Sequence, residues 1–319
     1  MLSIVVLSYN RRPDVEQNIP KLLAWCHANK GELIFVDNNS SDGTQEFIRG
    51  LLPKHPELKF VENAENRGVA GGRNDGFKLA QGKIILSIDD DSSPETDFLD
   101  KLPSIFEAYP EAGLMSPLIR HAKENSPQND NGSDPTWVAN FHGCCHAFRS
   151  DLIEKIGYQD ELCTFGGEEL DFSIRANKVG LKTLYHPDYI CHHNSFVRPI
   201  EEQMKRWSRW VYNYARVLGK NFPAVTASKF AREYTKQFAF KLVRNGQSSY
   251  ADELKKEGSR GLTDGLASAE PCPNDTLKFY LNPELTPEYG NRTLLRKLVR
   301  KFIKSKPDPA LQAGRRTLS

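Results

Sequence analysis

A strand-length apolar run that ends in three consecutive acids constrains this chain more than any other stretch: Ile84-Ile85-Leu86-Ser87-Ile88, then Asp89-Asp90-Asp91 and the stop Ser92-Ser93-Pro94. The apolar half buries itself and leaves the acids at its carboxyl end. In open α/β sheets ligands bind outside that end, so the acids point to a site in the crevice there. Adjacent carboxylates repel one another unless a cation sits between them, and oxygen ligands favour Mg²⁺ or Mn²⁺. Side chains alternate across a strand, which puts Asp89 and Asp91 on one face and turns Asp90 away. A solvated acidic turn is the competing reading of the same residues.

The pattern of strand, polar turn and helix recurs upstream. Residues 3–7 lead into the turn Ser8-Tyr9-Asn10-Arg11-Arg12-Pro13 and a helical pattern, and residues 33–36 lead into Asp37-Asn38-Asn39-Ser40-Ser41-Asp42-Gly43-Thr44 and a second helix. A third strand over 58–62 precedes a helix from about residue 69 to 80. Alternation of this kind predicts an α/β fold, a Rossmann-like, mostly parallel sheet flanked by helices. The segment Asn66-Arg67-Gly68-Val69-Ala70-Gly71-Gly72-Arg73-Asn74 places three glycines and two arginines at a helix start. Glycines there bring the backbone close to a ligand, and exposed N–H groups favour an anion such as a diphosphate. The alternative is a tight turn with solvated arginines, and the dinucleotide pattern Gly-x-Gly-x-x-Gly is absent.

Further on, a helix over 97–109 and a strand over 112–119 precede a polar, mobile loop over 121–136 and a strand-like segment over 137–148. The run Gly166-Gly167-Glu168-Glu169-Leu170-Asp171 to Arg175 reads as a helix start. Glu168, Asp171 and Arg175 share one side of that helix, with Glu169 turned by about 100°. One acid then faces the cleft while the others pair with Arg175. The adjacent His192 and His193 offer a nitrogen to complete an oxygen and nitrogen site for Mn²⁺ or Mg²⁺. Zinc held by His142, Cys144, Cys145, His146, Cys191, His192 and His193 is a weaker alternative, because adjacent cysteines on a strand face opposite ways and no Cys-x-x-Cys spacing occurs.

With 26% charged and 39% hydrophobic residues the chain has an ordinary globular composition. No apolar run approaches the ~18 residues of a membrane span, and the first residues lack a basic leader, so a cytoplasmic protein is expected. Six cysteines without paired spacing fit a reducing compartment. The chain is expected to divide into an α/β unit over 1–200, which carries the candidate site, and a helical region over 201–319. In the latter, 201–245 is helical and aromatic, 255–276 an irregular connection, and the tail is basic. Residues 291–319 carry nine Lys and Arg against Asp308 alone, with Leu294, Leu295, Leu298, Val299, Phe302 and Ile303 at helical spacing. Such a segment lies on an anionic membrane surface or docks on protein. The rest of the chain is net acidic, which leaves no broad positive face for nucleic acid.

Taken in order, the polar turn after the first strand, Val36-Asp37 to Thr44, Asn66 to Asn74, the aspartate triplet, Gly166-Gly167-Glu168-Glu169 to Arg175 and the late His192-His193 resemble the family 2 glycosyltransferases over about residues 1–200. The resemblance implies a GT-A fold that binds a nucleotide-diphosphate sugar and inverts the anomeric carbon. It implies donor contacts from Ser8, Tyr9, Asn10, Asp37, Asn66, Arg67, Gly72, Arg73, Asn74, Asp89 and Asp90, with Asp37 on the base and Arg73 and Asn74 holding the nucleotide. Asp91 is the expected direct metal ligand, with Asp89 on the metal or on ribose or sugar, and His193 matches the late histidine ligand, with His192 as its alternate. The pair Glu168-Glu169 stands where the family has its base, which makes Glu169 the base, with Asp171 the alternative. UDP-, dTDP- and GDP-linked rhamnosyl, galactosyl or glucosyl donors, a glycan or lipid-linked acceptor, and a homo-oligomer all remain open. A nucleotidyltransferase is the rival enzyme class, although its glycine-rich phosphate loop has no counterpart in residues 8–13; a non-catalytic glycan binder is the rival outside enzymes.

Overall fold

Strands β1 (Leu2–Ser8), β2 (Glu32–Asp37), β3 (Leu58–Glu62) and β4 (Ile84–Asp89) lie side by side in the order β3-β2-β1-β4, all parallel. Near-continuous apolar runs suit these strands because helices cover both faces. Ile4, Val6, Leu33, Phe35, Leu86 and Ile88 face a core shared with Val15, Ile19 and Leu23 of α1 (Arg12–Asn29) and Phe98 and Leu102 of α4 (Thr96–Ala108). Val5, Ile34, Val36 and Ile85 face the opposite core, with Phe77 of α3 (Gly68–Phe77) and Phe172 of α6 (Glu168–Lys178). Helix α2 (Thr44–Leu51) completes the crossover between β2 and β3. The computed structural model describes residues 1–195, 199–244, 246–282 and 309–318.

Beyond β4 the pairing changes. Strand β8 (Cys145–Arg149) runs antiparallel between β4 and β6 (Ala112–His121), and β9 (Lys182–His193) pairs parallel with β6. Ser92-Ser93-Pro94, read from sequence as a stop, is a short strand, β5 (Ser92–Pro94), antiparallel to the end of β9. The strand-like stretch 137–148 resolves into β7 (Thr136–Val138) on β9, a turn, and β8. The preceding loop, expected to be mobile, is tied down: Asn129 accepts from the Ile119 amide at 2.7 Å and donates to the Pro117 carbonyl at 2.8 Å. Register aligns the carboxyl ends, with Ser8 opposite Asp37 and Leu7 opposite Asp89. The end of β9 arrives at the same place, His193 opposite Ser92.

After α5 (Asp151–Ile156) and α6, the chain closes with α7 (Ile200–Asn221), α8 (Ala224–Arg244), α9 (Ser248–Ala267), α10 (Asn274–Leu281) and α11 (Pro309–Leu318). Most of the stretch 255–276, expected to be irregular, is helical, because its glycines serve packing rather than turns. Gly258, Gly261 and Gly265 recur on one face of α9, and a Cβ on Gly261 or Gly265 would lie 2.1 Å from the carbonyl oxygen of Tyr212 or Arg216 on α7. Only the bare backbone lets the two helices approach so closely. Leu170 and Ile174 of α6 share a core with Val211, Tyr214, Phe230, Tyr234 and Leu254 of α7 to α9, so the helix that opens at Glu168 rests on this layer. The amphipathic tail residues 294–303 lie outside the described residues. Helix α11 docks on the sheet side, where Arg315 pairs with Asp188 at 2.8 Å and Asp134 at 2.8 Å. Among the described residues no helix is long and apolar enough to cross a membrane.

Candidate active site

The ends of β1, β2, β4 and β9, the turn before β8 and the start of α6 meet at one end of the sheet. Arg73 on α3 ties them together. It is 1% exposed, donates from Nη2 to Asp89 Oδ1 at 2.7 Å and to the Gly143 carbonyl at 2.7 Å, and reaches Glu168 Oε1 from Nη1 at 3.2 Å. The aspartate triplet and the glutamate pair, far apart in sequence, therefore converge on one guanidinium. Arg73 has the rigid fork such a double contact needs. Burial pushes the Glu168 carboxyl up, and Arg73 pulls against it.

The three aspartates take separate directions. Asp89 faces Arg73. Asp90 is buried and accepts from the Tyr9 amide at 3.3 Å, while Asn18 holds its carbonyl at 2.9 Å; burial, with Asp91 adding to it, raises its carboxyl well above the usual range. Asp91 accepts from Arg11 Nη2 at 2.7 Å and lies 3.3 Å from His193 Nε2. Burial alone would raise Asp91, but the His193 hydrogen bond, with Arg11 adding to it, holds it below the usual carboxylate range. His193 Nδ1 donates to Gln128 Oε1 at 2.8 Å, which leaves Nε2 aimed at Asp91. His192, one residue earlier on the alternating strand, turns away to Glu95 at 3.0 Å and is no substitute for His193.

The residues fit a hard divalent ion. Asp91 offers a carboxylate oxygen and His193 a ring nitrogen 3.3 Å from it, the donor types such an ion takes. Among the described residues no group of three or more His, Cys, Asp or Glu is arranged to hold a metal by itself. That removes the zinc alternative among those residues: Cys144, Cys145 and Cys191 are buried, and burial raises their thiols.

Around this centre several buried polar atoms have no protein partner: Asp37 Oδ2, Arg73 Nε, Glu168 Oε2 and His142 Nδ1. Buried polar groups are mostly paired in folded proteins, so these four atoms are free to meet a ligand's polar groups. Asp37 is fully buried, and its other oxygen already accepts from the Ser40 amide and from Gln45 Nε2, both at 2.7 Å. Asn10, at φ +53°, accepts from the Ser41 amide at 2.7 Å and so joins the turns after β1 and β2, with the exposed Tyr9 and the buried Ser8 beside it.

The Asn66 to Asn74 segment behaves differently from its sequence reading. Its glycines make room for the chain itself: a Cβ on Gly68 would meet Thr164 at 2.7 Å, and one on Gly72 would meet Leu7 Cδ1 at 2.5 Å. The Val69 amide is taken by the Thr164 carbonyl at 2.8 Å. Asn66 accepts from Asn38 at 3.0 Å, Arg67 pairs with Asp75 and Glu161, and Asn74 brackets Gln159 through both its amide groups. Of the segment, Arg73 reaches the centre.

On α6, Glu169 is 8% exposed, accepts from the Gly167 amide at 3.1 Å and lies against the Gly143 backbone. Asp171 is fully buried between Arg175 at 2.7 Å and Asn221 at 3.5 Å. The expected pairing of Glu168 with Arg175 does not occur, because Arg73 takes Glu168. Past the two glycines, both at positive φ, Phe165 and Trp210 of α7 meet edge to face at 5.8 Å, with Arg206 3.9 Å over the Phe165 ring. Sequence reading named His142 as a zinc ligand alone and gave Arg11, Gln128, Gly143 and Arg206 no role at the site. Arg11 stands in the turn after β1, one residue past the donor candidates Ser8 to Asn10, and Gln128, Gly143 and Arg206 carry no local pattern.

Comparison with known proteins bears on this geometry. The profile described as Glycosyl transferase family 2 matches residues 3–157, and that described as Glycosyl transferase family group 2 matches residues 84–250. The chain is 24% identical over 224 residues to Glycosyltransferase AglE of Haloferax volcanii, covering 65% of this chain and 71% of AglE. It is 29% identical over 251 residues to a Poly-beta-1,6-N-acetyl-D-glucosamine synthase of Staphylococcus epidermidis, covering 72% of this chain and 58% of the synthase. Among solved structures, mannosyltransferase PcManGT of Pyrobaculum calidifontis, in complex with GDP-Man and Mn²⁺, superimposes with a TM-score of 0.53 at 19% identity over 99% of this chain and 86% of that one. GalNAc-T7 with UDP, GalNAc and Mn²⁺ gives 0.56 at 14% identity over 86% of this chain and 58% of its own.

Proposed function

We propose a metal-dependent, inverting sugar transfer for this chain, which belongs to the family 2 glycosyltransferases and has their GT-A fold. It is an enzyme that uses a nucleotide-linked sugar. The observation that carries the assignment of its site is the Arg73 bridge, which brings Asp89 at the end of β4 and Glu168 at the start of α6 to one point.

In this reading the orphan Asp37 Oδ2 accepts an N–H from the base, and Arg11 and Arg73 hold negative charge near the diphosphate. Asp91 and His193 would hold Mn²⁺ or Mg²⁺, which would supply positive charge beside the departing diphosphate. Asp89 contacts ribose or sugar through the oxygen that Arg73 leaves open. Glu169 takes the proton from an acceptor hydroxyl as that oxygen attacks the anomeric carbon from the face opposite the leaving group. Arg73, by neutralising Glu168, keeps the neighbouring Glu169 carboxylate from facing a second buried charge. Asp171, clamped by Arg175 and Asn221, serves structure instead. Phe165, Trp210 and Arg206 line the acceptor side, where an aromatic face suits a sugar ring. An acceptor in cell-surface glycan synthesis is supported by the relatives, one of which is named for poly-β-1,6-N-acetyl-D-glucosamine and another for succinoglycan biosynthesis. The expected place of action is the cytoplasmic side of the membrane.

The test is a pair of substitutions. Glu169→Gln keeps nucleotide-sugar binding by calorimetry and lowers the transfer rate by ~10²–10⁴-fold, the usual worth of a general base. Asp171→Asn lowers stability and leaves kcat within a few-fold. Full transfer by Glu169→Gln overturns the assignment.

A further inference from the structure

Helix α8 has two faces of different character. Ala227, Phe230, Ala231, Tyr234, Ala239 and Leu242 are buried in the helical core. On the other side Val225, Lys229, Arg232, Lys236, Phe240 and Val243 are all exposed. Their spacings of three and four residues place them within about 80° of arc and along ~27 Å of helix. The apolar residues stand at the two ends, Val225 85% exposed, Phe240 63% and Val243 53%, and the three cations stand between them. Among the described residues none of the three cations enters an ion pair. Glu233, half-buried at the margin, is the one acid within α8.

Exposed apolar side chains flanking a row of unpaired cations give this helix face an amphipathic surface toward solvent. The arrangement matches what an interfacial helix offers a bilayer, apolar side chains to enter the headgroup region and cations to meet anionic lipid. The basic tail of this chain, with nine Lys and Arg against Asp308, has the same sign and would be repelled from the row. Position adds to the argument. Phe238, on the core face of α8 opposite the row, touches Trp207 at 5.7 Å and Trp210 at 6.3 Å, and Trp210 packs on the Gly166 backbone at the mouth of the active site.

We propose that the exposed face of α8 is a docking surface for an anionic lipid bilayer, seated through Lys229, Arg232 and Lys236 with Val225, Phe240 and Val243 entering the interface. The bilayer then lies one helix layer from the acceptor side, which suits an acceptor carried by the membrane. Docking itself stands independently of the catalytic reading.

The experiment is vesicle sedimentation of the full chain, comparing phosphatidylcholine with a mixture containing roughly one-third phosphatidylglycerol. The protein is expected to sediment with the anionic vesicles and to be released by salt. Each basic residue near an anionic surface is worth about fivefold in partitioning, so Lys229→Glu, Arg232→Glu and Lys236→Glu together should lower it by at least ~100-fold. The same three positions as Gln should lose binding to a smaller degree, and they serve if the Glu variant does not fold. Val225→Ser with Val243→Ser should weaken binding to anionic vesicles without abolishing it. Binding by the tail alone would leave the cation variants unchanged and overturn the proposal. Equal sedimentation with both vesicle types, or capture by an acidic peptide without vesicle binding, would overturn it as well. None of these readouts involves transfer activity, so failure here and failure of the catalytic assignment are separate results.

Discussion

Replacing Arg73 with Met removes the charge at the hub and keeps most of its volume. Glu168, whose side chain is 3% exposed, then loses its cation in a site water does not reach. Stripping one partner from a buried pair costs ~3–5 kcal/mol. The Asp89 arm adds at most about 1 kcal/mol, because that side chain is 35% exposed and water replaces the contact. The lost bond to the Gly143 carbonyl adds about 1 kcal/mol more. A total of about 4–7 kcal/mol moves the urea midpoint down by roughly 1.3–2.3 M, at a slope of ~3 kcal/mol per M. The effect should depend on pH. Burial already raises Glu168, and without Arg73 its folded-state pKa rises further above the unfolded value. Between the two values the folded variant binds more protons than the unfolded chain, so its stability falls as pH rises through that window and the deficit is smallest near pH 5. Urea unfolding followed by tryptophan fluorescence from pH 5 to 8 measures both. A loss under ~1 kcal/mol, or one of equal size at every pH, refutes the idea that Arg73 neutralises Glu168.

Other expectations follow from single contacts. Asp37→Asn keeps the bonds to Ser40 and Gln45 through one oxygen but can present a donor where the orphan acceptor stood, so nucleotide affinity should fall by about 10- to 100-fold by calorimetry, with stability little changed. Mn²⁺ added with UDP should raise the melting temperature of the wild-type protein. Asp91→Asn should remove the metal increment, and His193→Ala should reduce it. Gly261→Ala forces a Cβ to 2.1 Å from the Tyr212 carbonyl and should cost at least ~1–3 kcal/mol as α9 is pushed off α7; an unchanged unfolding midpoint would show that the helices yield without cost.

Local pattern was enough to read the first half of the sheet. Apolar runs ending in turn residues located β1 to β4, and the alternation with helices required parallel pairing, because such strands need crossovers. The acids at the end of β4 and the glycines opening α6 were legible for the same reason, since each is a signal carried within a few residues. Other features depend on what lies across the fold. The glycines of α3 and α9 read as ligand cradle and loose linker, yet they lie against Thr164, Leu7 and the backbone of α7, contacts between residues far apart in the chain. Sequence periodicity placed Glu168 and Asp171 beside Arg175, but the burial of Arg73 between β4 and α6 decided which acid it neutralises. His193 became the partner of Asp91, and His192 did not, through the register of β9 against β5 and the Gln128 side chain behind it. The sequence by itself determined which chemical groups stand at the carboxyl ends of the strands, because hydrophobic burial fixes where each strand stops. Only the tertiary structure decided which of those groups face one another, because a charge is paired by the partner that packing brings within ~3 Å of it in a site closed to water.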